Sequence, residues 1–202
     1  QDAQAVLPKA LGVIGESAVE DIIAGLAASQ HPEMTLRRYA DALTLTGSGA
    51  IPSLAIALAH ASPQVRSGAV LTLGASGKTA EHLVPKIITL LDDDDVFVRA
   101  SAAEALGDLG PVARAAAPTL AGKLEDADPR VRAAAVIGLG KTAGDDVTYT
   151  GLFASALKAD DASVRIAATR VMSKLPAVTT ASVENLVAAL VDENEHVRAG
   201  SA

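Results

Sequence analysis

Apolar and small residues recur along this chain every 33 residues, in a phase marked by the dipeptide Val-Arg. The five Val-Arg pairs begin at Val65, Val98, Val131, Val164 and Val197. An alanine follows three residues after each of the first four arginines, and a leucine or methionine follows after seven: Ala69, Ala102, Ala135 and Ala168, then Leu73, Leu106, Leu139 and Met172. A fixed period of this length predicts structural repeats stacked one on the next.

Each repeat predicts two helices. In the unit 95–127 the first apolar stripe has helical spacing and comprises Val98, Ala102, Ala105, Leu106 and Leu109. The second stripe comprises Ala117, Leu120, Ala121 and Leu124. Gly107 and Gly110 are predicted to end the first helix, because glycine tolerates the left-handed turn after a C-terminus. Pro118 lies near the start of the second helix, where its missing N–H costs little.

Acidic loops join one repeat to the next and are predicted to cap its first helix. The expected N-caps are Asp95, Asp128, Asp161 and Asn194. In an earlier unit, Ser62 is expected to be the N-cap, at a position one residue later in the repeat. The loop carboxylates also lie near helix N-termini, where the helix dipole favours negative charge.

This arrangement of Asp-x-x-Val-Arg, Ala, Leu-Gly and then Pro resembles the HEAT-repeat family, and the best match is DVFVRASAAEALGDLGPVARAAAPTLAGKLEDADPRVR at residues 95–132. More narrowly, it is similar to the short bacterial HEAT-like repeats also found in phycobilin-chromophore lyases. The resemblance implies an all-α fold, a right-handed α-solenoid of stacked two-helix repeats whose second helices line the concave side. It implies little about function, because such repeats occur in scaffolds, adaptors, lyase subunits and some enzymes.

The pattern predicts a single solenoid over residues 1–202, with about six repeats of period 33. Residues 1–60 are read as degenerate N-terminal repeats, in which Leu36-Arg37 resembles a first helix and Ile22, Ile23 and Leu26 a second. Residues 61–194 are read as regular repeats, and residues 195–202 as the start of a truncated one. We therefore expect either a longer natural protein or a fragment.

Composition excludes several classes of protein. Half of the 202 residues are hydrophobic, which excludes intrinsic disorder, although only 2% are aromatic. There is no cysteine, so a disulfide scaffold, a cysteine nucleophile and a thiolate metal site are excluded. The net charge of −7 argues against a nucleic-acid partner. Residues 42–65 carry no Asp, Glu, Lys or Arg, but glycines and prolines interrupt them, so no membrane span is predicted.

The compartment is not fixed by these features. A chain without cysteine that starts at Gln1 fits an exported or periplasmic protein slightly better than a cytoplasmic one.

Two charged features allow a functional and a structural interpretation. The phased arginines could form a row that binds anions, or could pair with loop carboxylates of their own or the neighbouring repeat; phasing with Asp95, Asp128 and Asp161 favours pairing. These arginines are Arg66, Arg99, Arg132, Arg165 and Arg198. The run of four aspartates at residues 92–95 could bind calcium, but calcium loops alternate ligands with spacers. A solvated turn that caps a helix is the preferred interpretation.

No catalytic, cofactor-binding or metal-binding residue is predicted. The histidines are His31, His60, His82 and His196, and none forms a metal-binding pair on one helix face. Deoxyhypusine hydroxylases, a class of HEAT-repeat enzymes, carry metal on His-Glu dyads, whereas this chain has only the reverse order, at Glu81 and Glu195. Residues 74–78 lack the spacing of a phosphate loop, and their glycines, Gly74 and Gly77, are interpreted as helix terminators.

The function predicted from these observations is a non-catalytic scaffold or adaptor that binds another protein through the solenoid surface, either alone or as a subunit of a larger complex. The positions expected to be exposed on the second helices are Lys86, Thr89, Thr119 and Lys123. The alternative is an accessory subunit of a chromophore lyase or similar modifying enzyme, which would need a pocket with convergent polar groups.

Overall fold

The computed structural model of the protein describes residues 50–143, 146–175 and 180–201. Within these ranges the chain forms α-helices joined by turns and short 3₁₀ segments, with no β-strand. The α-helices are α1 (Ile51–Ala57), α2 (Pro63–Ala75), α3 (Val84–Thr89), α4 (Val96–Leu109), α5 (Ala117–Gly122), α6 (Pro129–Ala143), α7 (Thr150–Ala156), α8 (Ala162–Met172), α9 (Thr180–Ala189) and α10 (Glu195–Ser201). The 3₁₀ segments are Gly77–Leu83, Leu90–Asp92, Gly110–Ala116, Lys123–Glu125 and Val147–Tyr149.

The helices alternate between a longer first helix and a shorter second helix in each repeat. The first helices α2, α4, α6, α8 and α10 begin 33 residues apart, at Pro63, Val96, Pro129, Ala162 and Glu195. The most extensive contacts between elements join α4 with α6, α2 with α4, and α6 with α8, so successive first helices form a continuous layer. The second helices α3, α5, α7 and α9 follow in the same order. The fold is an α-solenoid of two-helix repeats, as the period predicts.

The core lies between the two helices of a repeat and between neighbouring first helices. In α4, the predicted stripe is buried throughout, with Leu106 fully inaccessible and Leu109 only 4% exposed. Its counterparts Leu73, Leu139 and Met172 are at most 1% exposed. In the second stripe Ala117 and Leu120 are buried, whereas Ala121 and Leu124 are half-buried. Pro118 lies in the first turn of α5, as predicted.

Glycines inside the first helices allow neighbouring backbones to approach closely. The prediction that Gly107 ends α4 is wrong, because the helix continues to Leu109. A Cβ atom at Gly107 would lie 2.9 Å from the Cα of Gly138, and one at Gly138 would lie 2.5 Å from the carbonyl oxygen of Ala103. Gly74 likewise lies inside α2, with its Cβ position 2.7 Å from the Cα of Ala105. Packing, and not helix termination, therefore explains these glycines.

Apart from Gly74 and Gly107, the helix ends follow the predicted signals with one exception. Gly110 ends α4 with a φ of 62°, the left-handed region that glycine favours. Asp95, Asp161 and Asn194 each accept a backbone N–H bond two residues ahead, at 2.8, 2.8 and 2.9 Å. Ser62 departs from the prediction: it stands in the same phase as Asp95, not one residue later, and makes no capping bond through its side chain.

Of the degenerate repeats expected at residues 1–60, residues 1–49 lie outside the described residues, and they include Leu36-Arg37 and Ile22, Ile23 and Leu26. Among the helices of the described ranges, none combines the length and the apolar character needed to cross a bilayer.

Burial of Leu106 predicts the effect of truncating it. The Leu106→Ala variant should lose about 2–5 kcal/mol of unfolding free energy, because a fully buried leucine is replaced by a cavity. Urea unfolding followed by circular dichroism measures the loss. Ile56→Ala is the control, since Ile56 is 78% exposed and should change the midpoint little. An unchanged midpoint for Leu106→Ala would contradict the core assignment.

Candidate functional site

Three of the phased arginines, Arg66, Arg99 and Arg165, bind carboxylates of the next inter-repeat loop. Arg66 donates from Nε and Nη2 to the two carboxylate oxygens of Asp93, at 2.8 and 2.6 Å. Arg99 makes the same pair of bonds to Asp126, at 3.0 and 3.2 Å. Arg165 binds Asp192 at 2.8 and 3.0 Å. Each pair joins residues 27 positions apart, so one rung connects two consecutive repeats. We call this set the arginine–aspartate ladder.

The same guanidinium groups also hold the loop that precedes their own helix. Nη1 of Arg99 donates to the carbonyl oxygens of Asp93 and Asp94, at 2.9 and 3.2 Å. Asp93 in turn accepts the backbone N–H of Asp95 at 2.9 Å. Asp93 therefore holds its own loop through the N–H of Asp95 and also binds Arg66 of the preceding repeat. Arg99 holds the loop before its own helix and also binds Asp126 in the next loop. The predicted structural pairing of these arginines is confirmed at Arg66, Arg99 and Arg165.

The rungs are largely withdrawn from solvent. Side-chain exposure is 17% for Arg99 and 7% for Asp126, and 9% and 13% for Arg165 and Asp192. Burial alone would raise the pKa of Asp126, but the hydrogen bonds from Arg99 and from a loop N–H outweigh it and hold that pKa below its ordinary value. The hydrogen bond to Asp126 raises the pKa of Arg99. Both partners therefore stay ionised at neutral pH.

The four aspartates at residues 92–95 differ in their partners and in their structural roles. Asp92 accepts a bond from Lys123 Nζ at 2.6 Å, Asp93 binds Arg66, and Asp95 caps α4. Asp94 is exposed. The capping interpretation is confirmed at Asp95, whereas Asp93, with 9% of its side chain exposed, departs from the expected solvated turn. No group of three or more His, Asp or Glu residues in the described part of the chain is arranged to hold a metal ion.

The histidines within the described ranges lie in a loop (His60), in a 3₁₀ segment (His82) and in the first turn of α10 (His196). His60 accepts the backbone N–H of Ser62 at its Nδ1, 3.0 Å away, in the phase that Asp93 occupies in the next repeat. His82 is exposed, and His196 lies 3.9 Å from Glu195 at the start of α10. His31 lies outside the described residues.

On the exposed side of the second helices, one set of positions carries little charge, and we call this set the second-helix face. It consists of two exposed positions per repeat, four residues apart: Pro52, Pro85, Pro118, Gly151 and Glu184, with Ile56, Thr89, Gly122, Ser155 and Ala188. Glu184 alone is charged among these. A surface poor in charge loses little hydration when a partner covers it, as at the centre of protein interfaces.

Two glycines on the second-helix face have no packing role. A Cβ atom at Gly122 or at Gly151 would meet nothing within 4 Å, unlike one at Gly138. Helical glycine costs roughly 0.5–1 kcal/mol relative to alanine. These positions therefore expose bare backbone at a cost that no contact within the described residues explains.

The four positions expected to be exposed on the second helices differ in accessibility. Lys86 and Thr89 are exposed. Thr119 is half-buried, and Lys123 is held against Asp92 with only 19% of its side chain exposed. The expectation is therefore wrong for Thr119 and Lys123, because the ladder loop of the previous repeat supplies Lys123 with a carboxylate.

A basic pocket between α6 and α8 was missed by the sequence analysis. It has a volume of about 340 Å³, and its charged lining residues are Arg114, Lys141, Arg170 and Lys174. Lys141 donates to Asp108 at 2.7 Å, and Arg114 lies 3.6 Å from Asp146. The signal was present, since Lys141 and Lys174 are 33 residues apart, but the overall acidic charge obscured it.

The sequence pattern of HEAT repeats matches three overlapping segments, at residues 18–107, 51–122 and 84–173. The chain belongs to the HEAT-repeat family. No curated protein matches it significantly in a sequence search.

Solved structures share the HEAT-repeat fold at low sequence identity. The Escherichia coli protein YibA is 18% identical with a TM-score of 0.76, covering 100% of this chain and 73% of its own. The CpcE–CpcF complex of phycocyanin lyase from Nostoc sp. PCC7120 is 22% identical with a TM-score of 0.66, and the match covers 77% of this chain and 98% of the matched chain. A Pds5–Scc1 complex is 15% identical with a TM-score of 0.53, covering 84% and 29%.

Breaking one rung between HEAT repeats should destabilise the fold. Asp126→Ala should lower the unfolding free energy by about 3 kcal/mol, because it leaves the guanidinium of Arg99 without its carboxylate in a poorly solvated position. Chemical denaturation measures the loss. Asp94→Ala removes an equal charge from an exposed loop position and should have a small effect. Equal losses in the two variants would show that the rung contributes no specific stability.

The ladder also predicts loss of stability in acid. The folded pKa values of Asp93, Asp126 and Asp192 lie below their ordinary values, so the unfolded chain binds more protons once the pH approaches the unfolded pKa of about 3.9. Stability should be steady above about pH 5 and fall as pH decreases further. Urea midpoints between pH 7 and pH 3 test this. Asp126→Ala should show a shallower decline, and an identical decline would exclude the rung as its source.

Proposed function

We propose that the protein is a non-catalytic scaffold that binds another protein through the second-helix face. The observation that carries this proposal is the exposed backbone at Gly122 and Gly151, on a surface of prolines, small residues and isolated apolar side chains. A partner that packs against bare helix backbone gains close contact that a larger side chain would prevent. The protein complexes among the similar structures, CpcE–CpcF and Pds5–Scc1, support a binding role for such a fold.

The polar groups of the ladder support a structural and not a catalytic role. Asp93 and Asp126 are each bound by an arginine and by a backbone N–H, so their oxygens are already engaged. A general acid or base needs a carboxyl whose proton exchanges near neutral pH, whereas these carboxyls have lowered pKa values. These engaged carboxylates support the proposed binding role.

The glycine pair provides the sharpest test. The Gly122→Ala/Gly151→Ala variant should be about 1 kcal/mol more stable than the wild type, because each methyl group enters open space. It should nevertheless retain less partner in affinity capture from the native source followed by quantitative mass spectrometry. A variant that is more stable and captures the same proteins in the same amounts would contradict close approach to this face.

A matched pair of charge reversals tests which face binds. Lys86→Glu changes the charge beside the second-helix face, and Arg170→Glu makes the same change on the exposed side of a first helix. Capture should fall for Lys86→Glu and stay near the wild-type value for Arg170→Glu, with similar unfolding midpoints for both. An equal loss of captured partner in the two variants would contradict binding through the second-helix face.

A second candidate is an accessory subunit of a chromophore lyase, which the basic pocket favours. Exposed Arg170 and Lys174 lie beside apolar Val171 and Leu175, a combination suited to a carboxylate-bearing pigment. The absorbance spectrum of protein purified from its native source separates the candidates. A visible band that Arg170→Glu removes would favour the lyase subunit, and a spectrum without one would favour the scaffold.

A further inference from the structure

The arginine–aspartate ladder is interrupted at one repeat. Arg132 has the same backbone anchor as the other arginines, since its Nη1 donates to the carbonyl oxygens of Asp126 and Ala127, at 2.8 and 3.0 Å. Position 159, in phase with Asp126 and Asp192, is an alanine. The Nε and Nη2 edge of Arg132 therefore meets no carboxylate among the residues that the structure describes, although its orientation is held by the same two carbonyl bonds.

The missing rung leaves a pocket. A cavity of about 480 Å³ opens between the loops 124–127 and 159–160, and both Arg132 and Ala159 line it. Leu124, Leu152 and Val164 form apolar parts of its wall. Arg132 is half-buried, so a carboxylate that reached it would be shielded from water on one side. The pocket thus combines a pre-oriented guanidinium with room for the methylene of an acidic side chain.

The rim of the pocket constrains the occupant further. Glu125 and Asp160 are exposed lining residues and form no ion pair among the described residues. They repel an isolated anion and attract a cation that approaches with it. Asp126, the third acidic lining residue, is already bound by Arg99. The favoured occupant is therefore a carboxylate with a positive charge next to it.

We propose that Arg132 binds an acidic side chain of a partner protein, flanked by a basic residue, and that this carboxylate takes the place of the missing rung. The inference rests on the proposed scaffold function for the source of the carboxylate. The site itself depends only on Arg132, Ala159 and the pocket between them. Two parallel charge-assisted hydrogen bonds from Nε and Nη2 give the contact its direction, as they do in the intact rungs.

The test is a solution NMR titration of the full ¹⁵N-labelled chain, observed at the arginine Nε–H resonances. The probe is the peptide acetyl-Lys-Asp-Lys-amide, and the control peptide has Asn in place of Asp. The Arg132 resonance should shift and saturate with the Asp peptide, whereas the Arg99 and Arg165 resonances should not move. Binding of the Asn peptide should be at least about tenfold weaker, because it lacks the charge that strengthens both bonds.

Ala159→Asp supplies the carboxylate from within the chain. This variant should raise the Tm, move the Arg132 resonance toward those of the intact rungs and abolish the response to the peptide. Ala61→Asp is the matched control, since position 61 is exposed and in phase with Asp94 and Asp160. It should leave the response intact. Arg132→Lys keeps the charge but lacks the two parallel donors and has no Nε–H resonance at this position, so it is followed at the backbone amide of Asp160, which lines the pocket. That amide should shift with the Asp peptide in the wild type and should not shift in Arg132→Lys.

Several results would overturn the proposal. An Arg132 resonance that does not saturate, or that responds equally to the Asn peptide, excludes a carboxylate site. A peptide response that persists in Ala159→Asp, or a failure of that variant to fold, excludes the geometry of the missing rung. The titration is read at Arg132, and Ser155 is the one residue of the second-helix face that lines the pocket, so the capture experiments with Lys86→Glu can succeed while this titration fails.

Discussion

The bond between an arginine in one first helix and an aspartate in the next loop is the constraint on which this solenoid depends. A repeat has no contacts that span the whole molecule, so its position is set mainly by its neighbours. Arg99 meets this need with a single guanidinium: Nη1 holds the loop before its own helix, and Nε and Nη2 hold Asp126 of the next loop. The rung fixes both the spacing of two repeats and the conformation of the loops between them.

Close packing of the first helices is the second requirement, and small residues meet it. A Cβ atom at Gly107 would lie only 2.9 Å from the Cα of Gly138, and Ala102 and Ala135 of the same two helices are fully buried. A core made in this way needs few aromatic residues, which accounts for their 2% share of the sequence. The acidic excess has a similarly local cause, because carboxylates gather in the loops that cap helices and accept arginines.

Much of this fold could be predicted from the sequence, because a repeat shows its regularities several times. The phase of Val98, Ala102 and Leu106 predicts burial, and Asp95 ahead of them predicts a cap. The errors have physical reasons. Glycine adopts the left-handed backbone conformation easily, and the prediction that Gly107 ends its helix rests on that property. Its role in the structure is steric, because it lets a neighbouring helix approach, and the local sequence does not reveal that neighbour. Lys123 is predicted to be exposed from its local sequence, because the aspartate that binds it, Asp92, lies 31 residues away.

The candidate sites were harder to predict, since they arise where the period fails. An alanine at position 159 indicates a missing ladder carboxylate only when it is compared with the same phase of the other repeats, which is occupied by Asp93, Asp126 and Asp192. The basic pocket needs α6 and α8 to be placed side by side before Lys141 and Arg170 converge. A surface for a partner is defined by what the fold leaves exposed, and exposure at Gly122 and Gly151 follows from packing and not from residue type.

Native-state hydrogen exchange at the inter-repeat loops tests the central claim most directly. The backbone N–H groups of Asp95 and Asp128 donate to the ladder aspartates at 2.9 and 3.0 Å, whereas that of Asp161 has Ala159 in place of such an acceptor. If the ladder fixes these loops, the Asp161 amide exchanges faster than the amides of Asp95 and Asp128 under native conditions. Equal protection at the three positions would contradict the account, because the loops would then be held without the ladder.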